Sequence, residues 1–207
     1  MMKKVLMILS MALMMASSMN AQFYFDGGIG MASLPKFPTP VLQLGGEKEM
    51  SRSTGVYVSL SQSISGKIAG EATLYGEQSN LYVATAYKVN LTALNIVGKR
   101  FLKRGDYDDG GFFFKGGISL AYASEKKTIT DEYDQSLYSG DEVEYTYKAF
   151  QPMIPIGIGY EVELKRDLYL NFDATLTLPA NRVGSMQISV NIPPFVGLNA
   201  GVRFPLG

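Results

Sequence analysis

The chain has 207 residues, with 19 Lys and Arg against 19 Asp and Glu, so its formal net charge is zero. No global basic field points to nucleic acid as a partner. It holds no cysteine and no histidine, which excludes disulfides, thiolate metal sites and a lipidated N-terminal cysteine, and removes the commonest general base and metal ligand.

Met2-Lys3-Lys4 is a short basic region, Val5–Met15 is apolar, and Ala16–Ala21 is small and polar. That order reads as a secretory signal peptide, too short in its apolar part to span a membrane as a helix. Residues 1–21 are expected to be cleaved after Ala21, leaving one domain, 22–207.

Residues 22–32 alternate Phe23, Phe25, Ile29 and Met31 with Tyr24, Asp26, Gly28 and Gly30. A period of two predicts a first strand. Residues 33–53 carry Pro35, Pro38, Pro40 and Gly45-Gly46 and read as a long loop. A second strand is predicted at 54–64, a tight hairpin turn at Ser65-Gly66 and a third strand at 67–76. A connection at 77–84 leads to a fourth strand, 85–101. Its alternation blurs at Leu94–Val97, where a bulge would restore it. After a charged turn at 103–109 comes a fifth strand, 110–123, and then a long polar excursion at 124–148.

The clearest pattern is the hairpin at 153–178. Ile154, Ile156, Ile158, Tyr160, Val162 and Leu164 share one face, while Gly157, Gly159, Glu161 and Glu163 share the other. Beyond Lys165-Arg166-Asp167, Leu168, Leu170, Phe172 and Leu176 alternate with Tyr169, Asn171, Asp173 and Thr175. Such strands are long for a globular domain and match the roughly 9–11 residues that a tilted strand needs to cross a bilayer. Residues 179–191 read as a loop and 194–204 as an eighth strand. The expected fold is all-β: an eight-stranded antiparallel up-and-down transmembrane barrel with its longer loops at one end and both termini at the other.

Alternation alone leaves two arrangements. A soluble lipocalin-like lipid carrier would turn the apolar face inward. The inverted arrangement is favoured because the more polar face is rich in small residues, which fit a narrow lumen, and carries both signs of charge. These are Asp26, Glu71, Lys88, Lys115, Glu161, Glu163, Asp173 and Arg203, which are expected to pair inside the barrel. Phe23, Phe25, Phe101, Phe112 and Phe204 map to the short-turn end, where an interfacial girdle belongs.

The signal ending in Asn20-Ala21-Gln22, strands such as Phe112–Tyr122 and Ile154–Leu164, and the closing stretch Leu198–Phe204 resemble the small eight-stranded outer-membrane β-barrel family. That family includes OmpX-like and OmpA-transmembrane-domain-like proteins and porin-family barrel domains of Gram-negative bacteria. The resemblance covers 22–207 and is one of pattern, so it implies architecture more than activity. It implies an outer-membrane location, surrounding membrane lipid, the barrel-assembly machinery as a partner in biogenesis, and no periplasmic domain after the barrel. Phe204 is followed by Pro205-Leu206-Gly207, a departure from the terminal aromatic on which members often end.

Barrels of similar architecture that are enzymes rely on histidine, so a Ser-His or Asp-His mechanism is excluded here. No catalytic residue, cofactor or metal is expected. Gly27–Gly30 lacks the Lys-Ser/Thr of a phosphate loop, and the acids of 131–144 match no EF-hand spacing. Tyr133, Tyr138, Tyr145 and Tyr147 suit contact with an extracellular protein or glycan. The expected function is a non-enzymatic structural or surface-interaction role. The alternative is a narrow channel for small solutes, similar to the OmpW-like barrels.

Overall fold

The computed structural model describes residues 23–34, 37–64, 67–76, 79–102, 110–138, 143–165, 167–180, 192 and 194–206; the expected signal peptide lies outside them. Nine strands form: β1 (Phe23–Leu34), β2 (Phe37–Ser51), β3 (Thr54–Ser63), β4 (Lys67–Tyr75), β5 (Asn80–Phe101), β6 (Gly111–Ile129), β7 (Tyr145–Lys165), β8 (Leu168–Pro179) and β9 (Phe195–Leu206). All neighbours pair antiparallel in the order β3-β2-β1-β9-β8-β7-β6-β5-β4, and a β3–β5 pairing closes the ring.

β3 and β4 lie end to end along the same neighbour. β3 pairs with the later half of β5, Thr54↔Arg100 through Gln62↔Thr92, and β4 with the earlier half, Lys67↔Lys88 through Tyr75↔Asn80. The ring therefore has eight walls. β3 and β4, expected to form a hairpin, instead run in the same direction; Ser65-Gly66, the expected turn, lies outside the described residues. From Gln62 to Lys67 is five steps on this wall, whereas Thr92 to Lys88 is four on β5. The extra residue is a bulge-like shift, and it flips every side chain beyond it to the opposite face. Tyr57 and Ser59 point inward below the shift, and Leu74 points inward above it.

The stretch 33–53, expected to be a loop, is instead mostly β2, paired with β1 from Phe23↔Lys48 to Leu34↔Phe37. Its prolines sit where the ladder tolerates them. Pro40 O accepts from Ile64 N at 2.7 Å, so Pro40 and Pro38, two residues apart, turn their backbone nitrogens toward β3. Pairing with β3 begins only at Val41↔Ser63, so the missing N–H costs at most the return bond of Pro40 to Ile64 at the very end of the ladder.

The ends of β1, β4, β6 and β8 and the starts of β2, β5, β7 and β9 lie at one end of the ring, here called upper. The ends of β2, β5 and β7 and the starts of β3, β6 and β8 lie at the lower end, where Phe23 pairs with Leu206. Three strands are much longer than a bilayer needs: β5 with 22 residues, β6 with 19 and β7 with 21. Their surplus, with β4, stands above the rest of the ring.

The outer surface carries Ile29, Leu44, Ile118, Ile156, Ile158 and Leu198 among many exposed apolar side chains. Soluble monomers rarely expose so continuous a band. At the lower end Phe25 packs on Phe204, with ring centroids 5.3 Å apart, and Phe112 on Tyr160 at 4.7 Å. Phe101, expected in that girdle, instead turns inward against Phe113 at 5.7 Å. The upper lumen is apolar: Ala32, Val41, Leu91, Ala93, Ala121 and Met153 pack around Ile192, whose backbone N–H donates to the buried Gln151 Oε1 at 2.6 Å.

Candidate functional site in the barrel lumen

Below this apolar layer, long polar side chains reach across neighbouring strands because small residues leave room. Lys115 on β6 crosses Gly157 of β7 to reach Asp173 of β8, Nζ to Oδ1 2.6 Å. A Cβ on Gly157 would lie 2.9 Å from Lys115 Cε. Asp173 Oδ1 also accepts from Thr175 Oγ1 and Asn199 Nδ2, each at 2.9 Å. Asn171 on β8 crosses Gly201 of β9 in the same way and donates to Asp26 Oδ2 on β1 at 2.8 Å. The Tyr57 ring lies over Gly45 and its hydroxyl reaches Asp26 Oδ1 at 3.5 Å. Gln43 Nε2 donates to Tyr57 Oη at 2.9 Å.

The lowest layer is a buried chain of charges. Glu161 on β7 accepts from Lys99 Nζ of β5 at 2.7 Å through Oε2 and from Arg203 Nη2 of β9 at 2.5 Å through Oε1. Lys99 also lies 3.4 Å from Glu47 Oε2 of β2. Four walls are thereby tied together across the lumen. The Arg203 guanidinium sits 4.0 Å from the Tyr24 ring and 4.2 Å from the Tyr169 ring. Lys99 lies over Phe113 at 4.5 Å and over Phe101 at 4.9 Å. These side chains are almost wholly buried, and aromatic faces offer a cation an attraction that needs no water. Among the described residues, cavities of about 70 Å³ and about 30 Å³ lie within the lumen. Their volumes correspond to room for a few waters. Arg203 and Glu161 stand across the way down. The arrangement binds strands together; its carboxylates are held by cations or amides.

No family model matches the chain, and no curated protein matches it by sequence. Solved structures do match. A major outer membrane protein from Thermus thermophilus aligns with a TM-score of 0.57 at 10% identity, over 91% of this chain and 100% of that chain. The chain has the fold of the small outer-membrane β-barrels. Ail, the attachment invasion locus protein of Yersinia pestis, aligns at 0.50 and 6% identity, covering 90% of this chain and 97% of that one. The same protein in complex with the heparin analogue sucrose octasulfate aligns at 0.51 and 8%, covering 91% and 100%. Identities this low speak to the barrel fold alone.

Within the barrel, the residues expected from sequence to pair in the lumen divide. Asp26, Lys115, Glu161, Asp173 and Arg203 project inward and come together as above. Glu163 has inward parity, but it lies near the lower end of β7 and is exposed. Glu71 and Lys88 project outward and are exposed, a correction with a physical reason for each. The register shift between β3 and β4 turns Glu71 out. On β5 the inward side is the more apolar one, Leu91, Ala93 and Val97, so polarity misassigns Lys88. No register shift interrupts β5 near Leu94–Val97; apolar residues on both faces cause the blur. Missed were Glu47, hidden in the supposed loop, and Lys99, hidden in the blurred strand; Tyr24, Tyr57 and Tyr169 carry no sequence signal for their cation or Asp26 contacts beyond inward parity.

Of the upper tyrosines, Tyr138 bridges to Gly76 and its hydroxyl lies 2.7 Å from Ser79 Oγ. Tyr133 is half-buried in the connection 130–144. Tyr145 and Tyr147 belong to β7, not to the loop; their rings are 4.7 Å apart, and Tyr145 donates to Glu125 at 2.6 Å.

Proposed function

We propose that the chain is a non-enzymatic outer-membrane protein, embedded in lipid by its apolar outer face and interacting at the cell surface through its raised upper strands. The observation that carries this reading is the lumen crossed by the buried Lys99–Glu161–Arg203 chain beneath an exposed projection of β4 to β7. Such a lumen is a brace, and what remains accessible is the outside. Eight walls leave an interior just wide enough for side chains. An apolar exterior around a charged interior is the reverse of a lipocalin-like carrier. The partner at the upper end is taken as a protein or glycan, in keeping with the tyrosines there and with the sulfated sugar held by Ail. The barrel-assembly machinery is the expected partner during insertion.

Purified, folded protein in planar bilayers is expected to give no single-channel steps. Reproducible steps that survive further purification would replace this reading with the narrow channel.

A further inference from the structure

The outer face of the upper strands carries a row of cations. The register sets Lys67 of β4 directly opposite Lys88 of β5, and Lys88 directly opposite Lys126 of β6. Lys148 of β7 stands opposite Ser124, diagonal to Lys126. All four are exposed. Among the described residues none of them has an ion-pair or hydrogen-bond partner. The flanking outward residues along β5 and β6 are neutral, Ala86 and Asn90 beside Lys88 and Ser124 and Thr128 beside Lys126, and the nearest acid on β7's side, Glu144, two residues from the Thr146 that faces Lys126, has its carboxylate on the Ile129 N–H at 2.8 Å. The nearest acid along β4, Glu71, lies four residues from Lys67, opposite Ala84. Like charges directly opposite on one face of a sheet destabilise it. Three in a row repel one another, and an anion lying on them would relieve that repulsion.

Their height identifies the anion. Below the row the outward residues of β6 run from Phe112 to Tyr122, and Tyr122 pairs with Phe150 of β7. Phe150 is exposed, so the pair forms an aromatic upper limit to the apolar band. Ten residues at roughly 3.3 Å rise, tilted by about 45°, span about 23 Å, close to the roughly 25 Å apolar band of such barrels. Lys148 comes one pleat above this limit and Lys126 two. That is headgroup level, above the hydrocarbon but below the tips of β6 and β7.

We propose that Lys67, Lys88, Lys126 and Lys148 form a binding surface for the phosphate groups of outer-leaflet lipid headgroups. A row of single-point cations spaced by the inter-strand distance of about 4.8 Å suits several phosphate oxygens better than one carboxylate. The proposal rests on the membrane-spanning reading above and adds a lipid class to it.

The test measures the temperature at which folded protein loses its unheated gel mobility. Protein is reconstituted in phosphatidylcholine vesicles with and without phosphatidic acid. Wild type is expected to melt several degrees higher with phosphatidic acid, the shift shrinking at high salt as exposed charges are screened. The triple variant K67Q/K88Q/K126Q should lose that shift. In phosphatidylcholine alone it should melt at or above wild type, since the repulsion is gone. Wild type that ignores phosphatidic acid, or a triple variant that keeps the shift, overturns the proposal. So does a wild type raised by soluble sucrose octasulfate in phosphatidylcholine but not by phosphatidic acid, which would make the row a glycan site. A chain that enters neither vesicle overturns this proposal and the membrane reading together. One that inserts but ignores phosphatidic acid overturns only the lipid site.

Discussion

Glu161 is the residue on which the lower lumen depends, because it answers two cations from two other walls. Removing one partner of a buried pair costs about 3–5 kcal/mol, because the other charge stays buried and unanswered. Glu161→Ala should therefore lower unfolding stability in urea by about that amount. The double variant with Arg203→Met should recover part of the loss; strictly additive losses would mean the pair is not coupled. Gly157 matters for the opposite reason. A Cβ there would meet Ala174 O at 2.6 Å, Thr175 Oγ1 at 3.0 Å and the crossing Lys115 stem. Gly157→Ala should cost about 1–3 kcal/mol by overpacking, whereas Gly46→Ala, with only Tyr24 O nearby at 3.7 Å, should cost much less in the same urea titration. On the upper surface, the Ser136 hydroxyl and backbone N–H donate to Asp134 Oδ1 and hold its carboxyl below the ordinary carboxylate range. Because the folded value is the lower one, the resulting support for this turn is complete above the ordinary range and is lost as pH falls through the lowered value. Ser136→Ala should move the Asp134 titration upward in an NMR pH series; an unchanged midpoint would remove the hydroxyl from the account.

At the level of the strand, one inserted residue decides which side of a wall meets solvent. The shift between β3 and β4 predicts a pattern that single cysteines can read, since the natural chain has none. Cysteine at Glu71, which stands above the lysine row, should react readily with a membrane-impermeant maleimide on intact cells, and cysteine at Leu74 or Val83 should not. The reverse pattern would mean that β4 continues the parity of β3. This is also where sequence reading goes astray, for physical reasons. The β7–β8 hairpin is legible because its two faces differ sharply, isoleucines and leucines outside against glycine, threonine and acids inside. β2 is hidden by prolines that lie just where its ladder to β3 stops, so they cost little. β5 carries Leu94 and Ile96 outward with Leu91, Ala93 and Val97 inward, so period-two contrast vanishes although the strand is unbroken. A strand hidden at 37–51 and a wall divided at Ser65-Gly66 offset one another, which leaves the count of eight walls unchanged. In the lumen, Asp26, Lys115, Glu161, Asp173 and Arg203 are legible from parity within well-contrasted strands. Glu47 and Lys99 are not, because their strands are the two that lose contrast.

The whole molecule is a ring whose inside is fastened by charge and whose outside is fitted to lipid. Its upper lumen is filled by alanines, Val41, Leu91 and Met153 around Ile192, and its lower lumen by the Glu47–Lys99–Glu161–Arg203 chain. Among the described residues both layers fill the lumen with side chains, which agrees with the proposed surface role for the surplus lengths of β5, β6 and β7. The measurement that tests this most directly is heat-modifiability in cell fractions. Unheated and boiled samples of the outer-membrane fraction and the soluble periplasm are run side by side in SDS gels and probed for this chain. A closed barrel keeps its hydrogen-bonded ring in unheated detergent, so the account predicts a membrane-fraction band that migrates differently before and after boiling. Recovery in the soluble fraction, with one mobility in both lanes, would contradict it, because an apolar exterior around a charged lumen has no place in water.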